Sequence, residues 1–68
     1  MQKKLQKLLE QAYELCEDGN YVMALEYYDI ALDIEPDNLN AMVDNGVTLQ
    51  NLGRFNEALQ MYEKALSI

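Results

Sequence analysis

From Gln2 to Asp18 the apolar residues Leu5, Leu8, Leu9, Ala12, Tyr13, Leu15 and Cys16 recur three or four apart, with Lys, Gln and Glu between them. That spacing lays one apolar stripe along a helix and predicts an amphipathic helix over residues 2–18. Gly19 stops it, because a residue without Cβ takes the left-handed conformation at low steric cost, and Asn20 continues the turn. A second helix is predicted from about Tyr21 to Ile34, with Leu25, Tyr28, Ala31 and Leu32 facing inward. Pro36 ends it by disfavouring helical dihedrals at Glu35, and Asp37 and Asn38 offer side-chain oxygens to cap the next helix. The cycle repeats with a helix from about Leu39 to Leu52, a stop at Gly53 and a last helix from about Phe55 to Ile68. No apolar run shows the period-two alternation of a strand. Connections this short force neighbouring helices antiparallel, so the pattern predicts two helical hairpins in series.

The second hairpin is a copy of the first. Gly19 and Gly53, Ala24 and Ala58, Tyr28 and Tyr62, Ala31 and Ala65, and Ile34 and Ile68 each stand 34 residues apart. Leu5/Leu39, Leu15/Leu49, Leu25/Leu59 and Leu32/Leu66 complete the identities, and Leu8/Met42, Ala12/Gly46 and Tyr21/Phe55 are near matches in the same frame. A period of this length is the mark of stacked helical units.

The residues that recur are Leu8, Gln11, Ala12, Leu15, Gly19, Tyr21, Ala24, Tyr28, Ala31 and Pro36, then Met42, Asn45, Gly46, Leu49, Gly53, Phe55, Ala58, Tyr62 and Ala65. In this order of large and small residues the chain resembles the tetratricopeptide repeat family over nearly its whole length. The resemblance implies an all-α fold, two tandem antiparallel hairpins forming a short right-handed α-solenoid, within a single domain spanning residues 1–68. Repeat one would run from about 5 to 38 and repeat two from about 39 to 68, without a terminal loop or capping helix. The expected physical reason for the pattern is close helix approach: Ala12 or Gly46 on the first helix of a hairpin faces Ala24 or Ala58 on the second. Tyr28 and Ala31 then receive the helix that begins at Leu39. Two departures thin the core: Leu8 or Met42 stands where the family usually has Trp, and Gln11 or Asn45 where it usually has Leu.

Stacked repeats generally need three or more units and a polar cap, whereas two units are present here. The expectation is a fragment of a longer array, an engineered minimal array, or a chain whose open ends associate. For association the last helix offers Leu59, Tyr62, Ala65, Leu66 and Ile68, and the opposite end offers Leu5, Leu8 and Leu15. End-to-end contact would be heterologous and able to propagate, while two-fold pairing of the last helices or hairpin exchange would close at a dimer.

Charge narrows the partners. Twelve acidic residues against five basic give −7, and no Lys or Arg lies between Leu8 and Gly53. Such a field repels phosphate backbones, so no nucleic-acid partner is expected, and Lys3, Lys4 and Lys7 read as a solvated helix start. No run is long and apolar enough to span a bilayer, so no membrane partner is expected either. A single Cys16 and no signal-like stretch lead to the expectation of a soluble protein of the reducing cytoplasm.

Catalysis finds little to work with. There is no His, the hydroxyl residues besides tyrosine are Thr48 and Ser67, and Cys16 sits beside Glu17 and Asp18, whose charge disfavours a thiolate. The reading is a structural cysteine and no enzyme. Asp33, Glu35, Asp37 and Asn38 bring oxygens to one loop but lack the central glycine and the bidentate glutamate of a calcium loop. The ridge Glu10, Glu14, Glu17 has no histidine beside it for a two-metal site. Neither metal nor cofactor is expected.

The resemblance directs attention to the first helix of each hairpin, which in that family lines a concave groove. The positions expected to face it are Gln6, Leu9, Tyr13, Asn40, Val43, Asp44, Val47 and Gln50. Family members that clamp the carboxyl terminus of chaperones use Lys and Asn on these faces, and Leu9, Tyr13 and Asp44 stand there instead. No carboxylate clamp is expected. With Glu10, Glu17 and Asp44 near the rim, the expected partner is a basic or apolar peptide or protein segment.

Overall fold

The computed structural model describes residues 3–67, so the predicted helix ends at Gln2 and Ile68 lie outside the described residues. Four helices succeed one another: α1 Lys3–Glu17, α2 Tyr21–Ile34, α3 Leu39–Asn51 and α4 Phe55–Leu66. Each packs on the next, α1 on α2, α2 on α3 and α3 on α4, and α1 also touches α3. The all-α pair of hairpins is therefore present.

The two glycines do what their positions require. Gly19 and Gly53 hold φ of 80° and 78°, and Asn20 N–H donates back to the Leu15 carbonyl at 2.8 Å, as Arg54 N–H does to Leu49 at 2.9 Å. These long-reach bonds, with Gly19 N–H on Cys16 and Gly53 N–H on Gln50, satisfy carbonyls that a bare helix end leaves open. Between the hairpins, Glu35 leaves the helical region ahead of Pro36, with φ of −137° and ψ of 87°, and the Asn38 side-chain oxygen accepts from Ala41 N–H at 2.8 Å. Asn38 also donates to Glu35 at 3.1 Å, so a single residue ties the end of α2 to the start of α3. The third helix ends one residue before Leu52, whose N–H is shared between the Thr48 and Leu49 carbonyls in a tightened last turn.

The core is built where small residues let axes approach. Ala12, Ala24 and Tyr28 form one buried cluster, with Leu9, Leu15, Cys16 and Tyr27 packed against it. Leu25, Leu49 and Ala58 form another, supported by Leu52, Met61 and Tyr62. At Gly46 the space for a Cβ is already taken, since it would lie 2.7 Å from Cε1 of Tyr62. Tyr62 lies against α3 and donates its hydroxyl to Gln50 Oε1 at 2.8 Å, so it is half-buried.

Two expectations about the ends and the core change. Leu5 is fully buried and is not offered to another chain, while Leu8 and Leu15 are half-buried. Asn45, expected to thin the core, is itself buried and donates to Asp29 Oδ1 at 3.1 Å, joining α3 to α2. A buried amide holding a partner contributes roughly 1 kcal/mol and fixes register as an apolar contact does not.

Candidate functional site

The first helices of the two hairpins, α1 and α3, flank an open cavity of about 450 Å³. Gln6, Leu9 and Tyr13 line it from α1, and Asn40 and Asp44 line it from α3. Helical spacing accounts for the grouping: Gln6, Leu9 and Tyr13 are three and four apart, and Asn40 and Asp44 are four apart. Glu10 and Glu14 complete the lining. They stand four residues apart on the same helix, with Glu10 four from Gln6, so their spacing in the sequence already carried the signal.

A smaller cavity of about 90 Å³ adjoins the first, sharing Tyr13 and Asp44. Its other walls are Cys16 from α1, Tyr28 from α2 and Val47, Thr48 and Asn51 from α3. Val47 thus joins Tyr13 and Asp44 in this second space, while Val43 and Gln50 line neither cavity. Val43 is exposed on α3, and Gln50 is engaged by Tyr62 of α4.

The polar groups around the small cavity form a chain. Thr48 donates to the backbone carbonyl of Asp44 at 2.7 Å, and its oxygen lies 3.1 Å from Cys16 Sγ. Burial pushes the Tyr28 hydroxyl well above its ordinary range, helped by the Asp44 carboxylate and the Cys16 thiol beside it. Asp44 is itself half-buried, and loss of water raises its carboxyl above the ordinary value. Among the described residues the one ion pair is Arg54 with Glu57, and no side chain donates to the Asp44 carboxylate. This half-buried acid therefore faces both cavities without a cation.

Neither cavity has Lys or Arg in its lining, and together they are lined by three carboxylates, two phenol rings, one leucine and one valine among other side chains. Such a lining suits a cationic or amphipathic segment and repels an anionic one. Among the described residues no three His, Cys, Asp or Glu side chains gather closely enough to hold a metal ion. No described helix is long and apolar enough to cross a membrane.

Exposed apolar side chains also lie on α2, at Val22, Met23 and Ile30, at Leu39 of α3, and on α4. Leu59 and Leu66 of the expected self-association face are exposed, at 57% and 88%, whereas Tyr62 and Ala65 are half-buried against the rest of the hairpin. Ile68 lies outside the described residues. Phe55, at 64% exposed, extends the stripe toward the start of the helix.

Comparison with known proteins bears on the repeat and its fold. The chain is 40% identical over 50 residues to the Protein CTR9 homolog of Arabidopsis thaliana, covering 74% of this chain and 5% of that protein. It is 39% identical over 56 residues to the TPR repeat-containing protein MJ0941 of Methanocaldococcus jannaschii, covering 82% of this chain and 17% of that protein. The chain thus spans a small part of the length of these relatives. The family described as tetratricopeptide repeat matches residues 6–68, which take in both hairpins, and the chain belongs to that family, a non-catalytic scaffold fold whose members mediate protein–protein interaction.

Proposed function

We propose that this chain is a binding module that holds a basic or apolar peptide segment in the groove between α1 and α3. The observation that carries the reading is the 450 Å³ cavity in which Leu9 and Tyr13 supply apolar contact beside Glu10, Glu14 and Asp44. Tyr13 gives a large contact area with a polar tip and few rotatable bonds, which keeps the entropy lost on binding small. Gln6 and Asn40 supply amides able to pair with the backbone of an extended segment. Val43, Val47 and Gln50 continue along α3 and belong to the proposed surface. The carboxylates contribute more to association rate and to rejection of acidic segments than to affinity. Isothermal titration against a basic, apolar-anchored peptide library tests this. Binding weakened by Tyr13→Ala and Val43→Ala is the expected outcome, and absence of binding, or binding indifferent to both substitutions, would refute it.

A second reading is self-association through α4, favoured by the exposure of Leu59 and Leu66 at positions whose counterparts in repeat one, Leu25 and Leu32, are buried and half-buried. Two-fold pairing of α4 with its copy fits this better than head-to-tail stacking. Leu5 is withdrawn, and Lys4, Lys7, Gln11 and Glu14 are exposed on α1 where Asn38, Ala41, Asn45 and Thr48 are buried on the α3 side. Sedimentation across a wide concentration range, with Tyr62→Lys plus Ile68→Lys as the comparison, decides it: a mass that rises with concentration and reverts in the double variant is expected on this reading.

A further inference from the structure

Charge is ordered along α1 in the sense that a helix disfavours. Lys3, Lys4 and Lys7 stand in its first half and Glu10, Glu14 and Glu17 in its second, with no acid in the first turn and no base in the last. The helix dipole is positive at the start and negative at the end, so both ends of α1 carry charge of the unfavourable sign. The favourable order occurs in the same chain on α4, with Glu57 in the first turn and Lys64 in the last. Spacing adds to the cost, because Lys3 and Lys7, like Glu10 and Glu14, are like charges four residues apart on one face. All of them are exposed, and none enters an ion pair among the described residues, where the one pair is Arg54 with Glu57. Solvation explains their exposure but not their order.

Lys3, Lys7, Glu10, Glu14 and Glu17 follow one another four or three residues apart, which sets them in one stripe. That stripe runs along the side of α1 away from Leu5 and Ala12, both fully buried. We propose that this face pairs with the same face of a second copy of the chain, the two α1 helices lying antiparallel about a two-fold axis. Lys3 of one copy then stands opposite Glu14 of the other and Lys7 opposite Glu10, and symmetry repeats each contact. Each like-charge pair meets a pair of opposite sign, and each helix end lies beside the opposite end of its neighbour's dipole. Parallel pairing would set Lys on Lys, so charge fixes the orientation. Tyr13, 57% exposed, flanks the stripe and adds apolar contact. Salt of about 0.15 M screens the repulsion between two chains of net charge −7 beyond about 8 Å and leaves contacts at the interface in place. Glu10 and Glu14 also line the larger cavity, so a paired α1 withdraws them from a peptide there. The pairing itself does not depend on the groove reading.

Sedimentation equilibrium over a wide concentration range tests the pairing. At about 0.15 M salt the chain is expected to shift from monomer to dimer as concentration rises, and at about 1 M to return toward monomer. Lys7→Glu should weaken dimerisation at least about tenfold, since each of its two symmetry-related contacts becomes repulsive. Adding Glu10→Lys to Lys7→Glu should restore it, because the exchanged charges again face each other across the axis. That double variant keeps the net charge at −7, so its recovery separates paired contacts from overall repulsion. Circular dichroism confirms that each variant is folded. A monomer at every concentration, a dimer that 1 M salt strengthens, an unchanged affinity in Lys7→Glu, or no recovery in the double variant would each overturn the assignment. Mass that falls with Leu59→Lys and Leu66→Lys but not with Lys7→Glu would move the association to α4 and likewise overturn it. Dimerisation of this kind in a chain that binds no peptide would sustain the pairing and remove the groove. A strict monomer that binds a basic peptide would do the reverse.

Discussion

The two hairpins carry the same pattern at the same spacing, yet their second helices have different surroundings. On α2, Leu25 is 8% exposed and Tyr28 1%, whereas on α4 the residues in the same frame are Leu59, at 57%, and a half-buried Tyr62. Ala24 and Ala58 do not diverge, both being buried. The difference separates two kinds of contact. Alanine faces the partner helix of its own hairpin and is covered wherever the hairpin forms. Leucine faces the next hairpin, as Leu25 meets Leu49 and Ala58, whereas each tyrosine packs on the first helix of its own hairpin and Tyr28 is covered further by α3. A residue's burial in a repeat is thus set by its neighbour more than by its own identity.

The sharpest way to break this comparison is truncation of the two tyrosines. Tyr28→Ala is expected to cost about 3–5 kcal/mol, as large aromatic deletions in a core do, while Tyr62→Ala costs roughly half of that or less. Urea unfolding followed by circular dichroism measures both, and equal losses would show that cover by α3 is not what distinguishes them. Next in size, Ala24→Leu and Ala58→Leu should each cost about 1–3 kcal/mol by overpacking the approach of two axes. Here the hairpins are expected to behave alike, and a thermal melt unchanged in either variant would contradict the pairing within the hairpin.

Asn45 and Gln11 sharpen the comparison at a polar position. Asn45→Ala loses the bond to Asp29 and leaves a small void, for about 1–2 kcal/mol, whereas Gln11→Ala, at an exposed site, stays within about 0.5 kcal/mol. Urea unfolding of the two variants side by side checks the contrast.

A further pair in the same frame is Asp44 and Glu10, and here the expected effect is a gain. The folded state holds the Asp44 carboxyl above its ordinary value through burial, so the native chain binds more protons than the unfolded one in that range. Its contribution to stability is present below the ordinary carboxylate range and is lost as pH rises through the raised value. Asp44→Asn should therefore raise the melting temperature at neutral pH, with the advantage vanishing in acid. Glu10→Gln, at an exposed position, should show little of either. A chain that is more stable without Asp44, yet binds a basic peptide only with it, would mark that residue as one kept for binding.

The smallest effect on stability is expected at the α4 surface. Leu59→Lys and Leu66→Lys should each change unfolding by about 0.5 kcal/mol or less, because both side chains already face water. Any fall in mass by sedimentation would then report on association alone.

The proposed binding surface is only partly legible in the sequence. Helical spacing and family resemblance place Gln6, Leu9, Tyr13, Asn40 and Asp44 on one side, and the larger cavity does gather them. Cys16, Tyr28, Thr48 and Asn51 give no such signal, because their joint cavity draws on three helices and no spacing along one helix reveals it. Asn45 shows the same limit: an amide at an apolar position looks like a defect until Asp29 of α2 is found opposite it.

What the sequence determined by itself is local. The apolar spacing, the glycine stops and Pro36 specify four helices and their turns, because each depends on dihedral preferences and contacts within a few residues. The 34-residue recurrence added the hairpin pairing, since small residues in register mark where axes approach. Only the tertiary structure decided which copy of each repeated residue is covered, how Leu5 is withdrawn from the surface, and where Asp44 meets Tyr28 across helices. Those outcomes depend on the relative placement of elements far apart in the chain, and burial, desolvation and cavity shape come into being only when that placement is made.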